Sequence, residues 1–320
     1  MSRRVVAIVN PRSANGRTAK AWPRIHALLR AQVGELDVRL TERPQHATEL
    51  VREALVDGAD EIIAVGGDGT GNEVVNGFFD AEQRPLRPET VLTVVPSGTG
   101  GDFRKTLGLG NDPSEVSRLF SRGTIILADV GWMRCKGFDG VQAFRYFLNI
   151  TSFGIGGMVD DAVNRTTKRL GGKASFFLGT FRAFARYRRQ PMRLEVDDRV
   201  VYEGPVFNVA VANGQYHGGG MWVAPMADPT DGLLDVVILG DLGTAGFLAL
   251  TRRIYAGTHL KSPDVVHVRG RFLRATTTGD TLIDMDGETP GRLPIEVGLH
   301  AAAVRLRTLV PFGAGCASHS

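Results

Sequence analysis

The chain has 320 residues, room for two domains or one large one. With 43% apolar and 22% charged residues it can bury a substantial core, which excludes a disordered or purely solvating chain. Its net charge of +4 is local: nine Lys and Arg fall between Asp161 and Glu195 with no acid among them, so the remainder is net acidic. Such a block reads as a surface aimed at an anionic partner. Forty glycines without a collagen period point to tight turns and close backbone approaches. Cys135 and Cys316 stand in no C-x-x-C pair, which argues against a disulfide framework or zinc knuckle. The most apolar stretch, 236–250, is broken by Asp241 and three glycines, so a spanning helix is not expected. The N-terminal apolar stretch is too short for a signal peptide, and a cytoplasmic location is expected.

Residues 4–10 (RVVAIVN) predict a strand ending in Asn-Pro, and the spacing of Ala21, Ile25, Leu28 and Leu29 predicts a helix over 18–33. A strand at 36–41, a helix at 46–57, a strand at 61–66, a helix at 71–79, a strand at 91–96 and short helical segments over 101–121 continue the series. This alternation predicts a doubly wound parallel sheet with helices on both faces, and ligands at the carboxyl ends of its strands. From about 124 strand-like runs dominate: 124–133, 144–153, 192–197, 200–213, 233–239, 264–276 and 281–288. They predict a β-rich sandwich or barrel, interrupted by helices near 173–188 and 243–255. The expected division is an α/β nucleotide domain over 1–128 and a β-rich domain over 129–300. A strand at 301–311 could join either, and a disordered tail is expected over 313–320.

The strongest motif is 66–77 (GGDGTGNEVVNG), directly after a predicted strand. Gly66, Gly67, Gly69 and Gly71 permit a sharp turn, and the helix starting near Thr70 offers its positive end to an anion. Asp68 is an odd residue in a phosphate cradle unless a cation accompanies the phosphate, so Mg2+–nucleotide is the natural reading. A plain Gly-rich turn with a capping Asp is the bland alternative. The loop 96–108 (PSGTGGDFRKTLG) repeats the design with Gly98, Thr99, Gly100, Gly101 and Asp102, and alone reads as an ordinary loop. In 10–20 (NPRSANGRTAK), Asn10 and Arg17 could reach phosphates, or simply line a polar loop. Asp-Gly-Glu at 286–288 is first a hairpin turn, though a carboxylate there can take the proton of an attacking hydroxyl. Asp-Pro-Thr-Asp-Gly at 228–232 is an ordinary turn whose acids also suit a hard cation. His217 and His259 read as loop or surface residues.

N-P-x-S-x-x-G-R near the start, G-G-D-G-T-x-N after the third strand and P-x-G-T-x-x-D-F about thirty residues later resemble the diacylglycerol kinase catalytic domain. The chain is similar to the soluble bacterial lipid kinases of that family, relatives of sphingosine and ceramide kinases and, more distantly, of NAD kinase. The resemblance runs from residue 4 to about 310. One departure is Gly101, where bacterial members usually carry Asn before Asp-Phe. The resemblance implies a two-domain kinase, Rossmann-like and sandwich, with ATP and Mg2+ in the cleft. It implies that Gly66, Gly67, Asp68, Gly69, Thr70, Gly71 and Asn72 cradle the phosphates, with Asn10, Arg17, Thr41, Gly98, Thr99 and Asp102 as further nucleotide contacts. Glu288 would accept the proton, with Asp286 nearby and Asp68 organising the metal. Asp228, Asp231 and the carbonyl of Leu233 would hold a structural Mg2+, and Asp129 would help organise Asp68 and the metal.

The implied reaction is transfer of the ATP γ-phosphoryl to a lipid hydroxyl, diacylglycerol foremost. Ceramide, sphingosine, monoacylglycerol or phosphatidylglycerol are alternatives, then a soluble NAD-type kinase, then a non-catalytic nucleotide-binding membrane-docking protein. Within 173–190, Phe177, Phe181 and Phe184 share one helical face and Arg182, Arg186 and Arg189 another, which predicts peripheral contact with an anionic membrane. Core packing of the Phe face is the rival reading. No nucleic-acid partner is expected, and a homodimer is left open.

Overall fold

The computed structural model describes residues 3–97, 101–156 and 189–312. The first half runs β1 (Val5–Val9), α1 (Ser13–Val33), β2 (Asp37–Leu40), α2 (His46–Val56), β3 (Glu61–Gly66), α3 (Asp68–Asn76), β4 (Val91–Pro96), α4 (Phe103–Thr106) and α5 (Glu115–Arg122). The strands are parallel in the order β2-β1-β3-β4. Alternation along β1 decides its two faces. Val5, Ala7 and Val9 pack with Ile25 and Leu29 of α1, while Val6 and Ile8 pack with Val51 of α2 and Val74 and Val75 of α3. The sheet is therefore covered on both faces, which is why β1 and β3 read as continuous apolar runs. Ala14, Asn15 and Gly16 have left-handed φ values of 52°, 56° and 78°, so the polar loop after β1 kinks before the regular helix begins.

The second half runs β5 (Thr124–Lys136), β6 (Gln142–Phe147), β7 (Ile150–Gly154), β8 (Gln190–Val196), β9 (Arg199–Val206), β10 (Asn208–Ala212), β11 (Tyr216–His217), β12 (Met221–Trp222), β13 (Leu234–Leu239), α6 (Thr244–Tyr255), β14 (Val265–Gly270), β15 (Phe272–Thr277), β16 (Ile283–Met285) and β17 (Arg292–Thr308). An antiparallel sheet β14-β13-β10-β7-β16 packs face to face on β5, β6, β8, β15 and β17. Phe147, Phe153, Leu194, Val209, Val236, Leu273, Ile283 and Val297 fill the space between them, giving the sandwich.

Strand β17 belongs to both halves. Leu273–Phe272 of β15 pair antiparallel with Val297–Gly298, and further on Arg305 and Leu306 pair parallel with Val91 and Leu92 of β4. Its register against β5 shifts between His300 and Val304, where Ala302 has φ 50°. Beyond that shift the Arg307 guanidinium donates two hydrogen bonds, of 3.1 and 3.2 Å, to the two carboxylate oxygens of buried Glu61 on β3.

Three runs read as single strands are each two strands. The run 144–153 breaks between β6 and β7, 200–213 between β9 and β10, and 264–276 between β14 and β15. At each break the chain crosses from one sheet of the sandwich to the other, a change of partner that the apolar pattern does not record. The expected helix near 173–188 lies outside the described residues, as do Phe177, Phe181, Phe184, Arg182 and Arg186. Arg189 is described, and its guanidinium pairs with Asp241, an acid more than fifty residues away that a count within the basic segment cannot see.

Candidate active site

The loops after β1, β3 and β4 meet at the carboxyl edge of the parallel sheet. The side-chain amide of Asn10 donates to Thr70 Oγ1 at 3.1 Å, and its backbone N–H donates to the Val65 carbonyl at 3.0 Å. The two loops are thereby stitched together. Gly66 is required by packing: a Cβ there would lie 2.4 Å from Thr70 Oγ1. A Cβ on Gly67 or Gly71 would meet nothing within 4 Å, so the start of α3 faces open space. Thr41 is buried at the end of β2, its amide bonded to the Val9 carbonyl, and Arg17 is exposed on α1. Gly98 and Thr99 lie outside the described residues.

Asp68 opens α3, and its carboxylate accepts the backbone N–H of Asp102 at 2.8 Å and of Phe103 at 3.4 Å. Gly101, with φ 105°, lets the chain turn so that these two amides aim at the acid. Burial raises the Asp68 pKa and the charge of Asp102 adds to it, against the two amides. Asp102 in turn accepts the Gly219 amide at 2.8 Å.

Across the cleft, Asp286 and Gly287 form a two-residue hairpin turn closed by Met285 and Glu288, with φ 49° and 87°. That is the left-handed pair a tight hairpin demands, which explains Asp-Gly. Asp286 is fully buried and accepts Asn72 Nδ2 at 3.1 Å and the Ile150 amide at 3.2 Å. Burial, then the charge of Asp68, push its carboxyl up to about 7. Glu288 Oε1 comes within 3.9 Å of where a Cβ on Gly69 would sit. Its pKa is raised by burial and by Glu73, with Arg145 opposing. The structure thus brings Asp68, Asn72 and Asp286 to one narrow cleft, lined also by Gly67, Gly71 and Asn149, with Glu288 close to Gly69 of the same loop. Two of its neighbours were passed over in the sequence. Asp284 is buried, accepts Ser152 Oγ and the Gly287 amide, and lies 2.8 Å from Nε2 of His217. The alternation Ile283-Asp284-Met285, with both apolar residues in the core, is the signal that turns Asp284 to the opposite face, just before the turn that holds Asp286.

The 228–232 turn lies apart from these groups. Asp228 Oδ1 accepts the amide and hydroxyl of Thr230, and Asp231 accepts the Leu233 amide and pairs with Arg269. Asp129 packs against this turn: its two oxygens accept the amides of Gly232 and of Ala302, each at 2.7 Å. Burial, with Asp231 and Asp228 adding, raises its pKa. Carboxylates and carbonyls are the donor types of a hard cation, although Asp231 already pairs with Arg269. Among the described residues, however, no three acidic, His or Cys side chains converge closely enough to hold a metal. At the cleft, the charge of Asp68 raises Asp286 beside open space, an arrangement that a cation arriving with phosphates would relieve.

Residues 4–133 match the diacylglycerol kinase catalytic domain, and residues 149–308 match the YegS C-terminal NAD kinase beta sandwich-like domain. The chain is 27% identical over 295 residues to a diacylglycerol kinase of Staphylococcus saprophyticus, covering 92% of each chain. It is 28% identical to one of Staphylococcus epidermidis, covering 92% of this chain and 88% of that one. A solved structure of a Bacillus anthracis protein assigned as a diacylglycerol kinase superposes with a TM-score of 0.74 at 28% identity, covering 95% and 96% of the two chains. Yeast NADH kinase shares the fold, with a TM-score of 0.53 at 13% identity, covering 96% and 83%. With these two domains matched in sequence on the fold and cleft described above, the chain belongs to the diacylglycerol kinase family, in the branch with a YegS-type C-terminal domain.

Proposed function

We propose that the chain transfers the γ-phosphoryl group of ATP to a lipid hydroxyl, with diacylglycerol as the first acceptor to be tested. The observation that carries this reading is the Asp286–Glu288 turn, presented by the sandwich opposite the open space before α3. Phosphoryl transfer asks for positioning and charge neutralisation more than covalent chemistry. The glycine loop and the start of α3 hold the phosphates, and Mg2+ bound with ATP supplies the charge neutralisation there. Glu288 orients the acceptor hydroxyl and takes its proton, and its raised pKa makes it a better base near neutral pH. Asp286 braces Asn72 and, with Asp68, is the acid pair whose charge the metal offsets.

In this reading a second cation rests on Asp228, Asp231 and the Leu233 carbonyl, with Asp129 bracing the loop, and its role is loop order. No helix among the described residues is long and apolar enough to cross a membrane, so access to a lipid needs surface contact. The basic 162–194 segment is assigned to that contact with anionic headgroups. The test is ATP turnover against a panel of lipid hydroxyls in mixed micelles, with NAD and no-acceptor controls. Turnover with diacylglycerol above the other lipids and above NAD is expected. Phosphorylation of NAD alone, or of none, refutes the reading.

A further inference from the structure

The hairpin β11–β12 connects the two sides of the cleft. Tyr216 pairs with Trp222 and His217 with Met221, and the three residues between them, Gly218, Gly219 and Gly220, have φ of 65°, 84° and 97°. On one side the Gly219 amide donates to Asp102 at 2.8 Å, and the Asp102 amide donates to Asp68 at 2.8 Å. On the other side His217 Nε2 lies 2.8 Å from Oδ2 of Asp284, which the protein buries completely. The other oxygen of Asp284 accepts the Gly287 amide at 3.0 Å, inside the turn that presents Glu288. Ser152 Oγ adds a 3.3 Å bond to Asp284 Oδ2. When protonated, the imidazole opposes the rise of the Asp68 carboxyl pKa. A fully buried carboxylate costs several kcal/mol unless its oxygens are bonded and its charge is met.

We infer that His217 is a positioning residue for phosphoryl transfer: by holding Asp284 it fixes the Asp286–Gly287 turn and so the place of Glu288, while its hairpin ties that turn to Asp68 through Gly219 and Asp102. The inference rests on Glu288 being the proton acceptor. A base displaced by about 1 Å loses on the order of 10²-fold in rate, whereas the glycine loop is also held from its other side by Asn10, through Thr70 and Val65. The role of His217 is therefore in kcat and not in the KM for ATP.

The experiment measures kcat and the KM for ATP, with dioleoylglycerol in mixed micelles, for wild type, His217→Phe, His217→Gln, Glu288→Gln and the double variant His217→Phe/Glu288→Gln. Circular dichroism and thermal melting check each fold. Gln keeps an N–H donor for Asp284 and Phe does not. The expected result is a kcat about 10- to 100-fold lower for His217→Phe, a KM for ATP within about twofold of wild type, and recovery of most of the loss in His217→Gln. In the Glu288→Gln background the same His217→Phe change should cost less than about threefold, because the two residues act as one unit. Should His217→Phe fail to fold, His217→Ala is read in its place against the Gln variant. A folded Phe or Ala variant with kcat within about twofold of wild type overturns the inference. So does a full loss repeated in the Glu288→Gln background, or a Gln variant as slow as the Phe variant. An active Glu288→Gln enzyme overturns the assignment of the base itself, and is distinguished from failure of the His217 role by the single variants.

Discussion

Replacing Asp286 by Asn should remove a pH-dependent penalty on stability while impairing catalysis. Asp286 is fully buried, and its carboxyl rises from 3.8 to about 7, first through burial and then through the charge of Asp68. That rise is worth about 4 kcal/mol of differential interaction against the ionised form. Below pH 3.8 the side chain is protonated in both states and the penalty is absent. As the pH climbs from there to about 7 the unfolded state ionises first, so folding stability falls, and above about 7 the full penalty remains. Asn carries no such charge. It tolerates the left-handed φ of 49° at this position, so the turn survives. It cannot accept from both Asn72 Nδ2 and the Ile150 amide, which costs about 1–3 kcal/mol at every pH. The stability of Asp286→Asn relative to wild type should therefore rise by about 2–3 kcal/mol between pH 5 and pH 8. Urea denaturation of both proteins at these two pH values measures it, with activity assayed alongside. An unchanged difference between pH 5 and pH 8 would refute the argument that Asp286 is a destabilised acid kept for function.

Glu288→Gln should lower kcat by about 10²–10⁴-fold and leave the KM for ATP nearly unchanged, as steady-state kinetics at fixed micellar acceptor will show. Unchanged kcat would make the turn structural or Asp286 the base. Asp228→Ala with Asp231→Ala should abolish any Mg2+-dependent rise in melting temperature seen without nucleotide. An identical metal titration in variant and wild type would leave the sequence as a turn bonded through Thr230 and Arg269 alone. Charge reversal of Arg182, Arg186 and Arg189 to Glu should abolish salt-sensitive co-sedimentation with phosphatidylglycerol vesicles while ATP binding persists. Arg189 already has Asp241 as a partner, so most of the loss is expected from the other two.

The α/β half was legible because its strands are short apolar runs closed by glycine or proline, and the helices between them keep one periodicity. EIIAVG followed by Gly67 and Asp68 marks the strand end at Gly66, while the helix expected over 71–79 runs Asp68–Asn76 because it starts at the acid itself. The sandwich was less legible. In 200–213 the apolar pattern continues through the corner at Phe207, so nothing local marks the change of sheet, and in 264–276 the corner is only the short Arg269-Gly270-Arg271 stretch between two apolar runs. The first part of β17 alternates Leu293, Ile295 and Val297 inward, yet Pro294 disguises the pattern. The glycine loop after β3 and the Asp-Gly-Glu turn were visible as motifs because a tight turn needs particular residues in sequence. His217 was not, since its meaning lies in Asp284, far along the chain, and a lone histidine between Tyr216 and a run of glycines carries no local signal. For the same reason Asp129 had to be located in space before its two amide partners could be named.

The shared strand β17 also sets a timetable for synthesis. As the chain leaves the ribosome, β1 to β4 and their helices emerge first, yet the partner that covers the open edge of β4 is made almost last. At about 5–20 residues per second, that edge stays unpaired for on the order of 10 s or longer. Glu61 can meet Arg3 early, but its buried pairing with the guanidinium of Arg307 waits as long. An unpaired edge beside apolar strands is a template for association with other chains. Ending translation before Arg305 would therefore leave a nascent sheet open to aggregation.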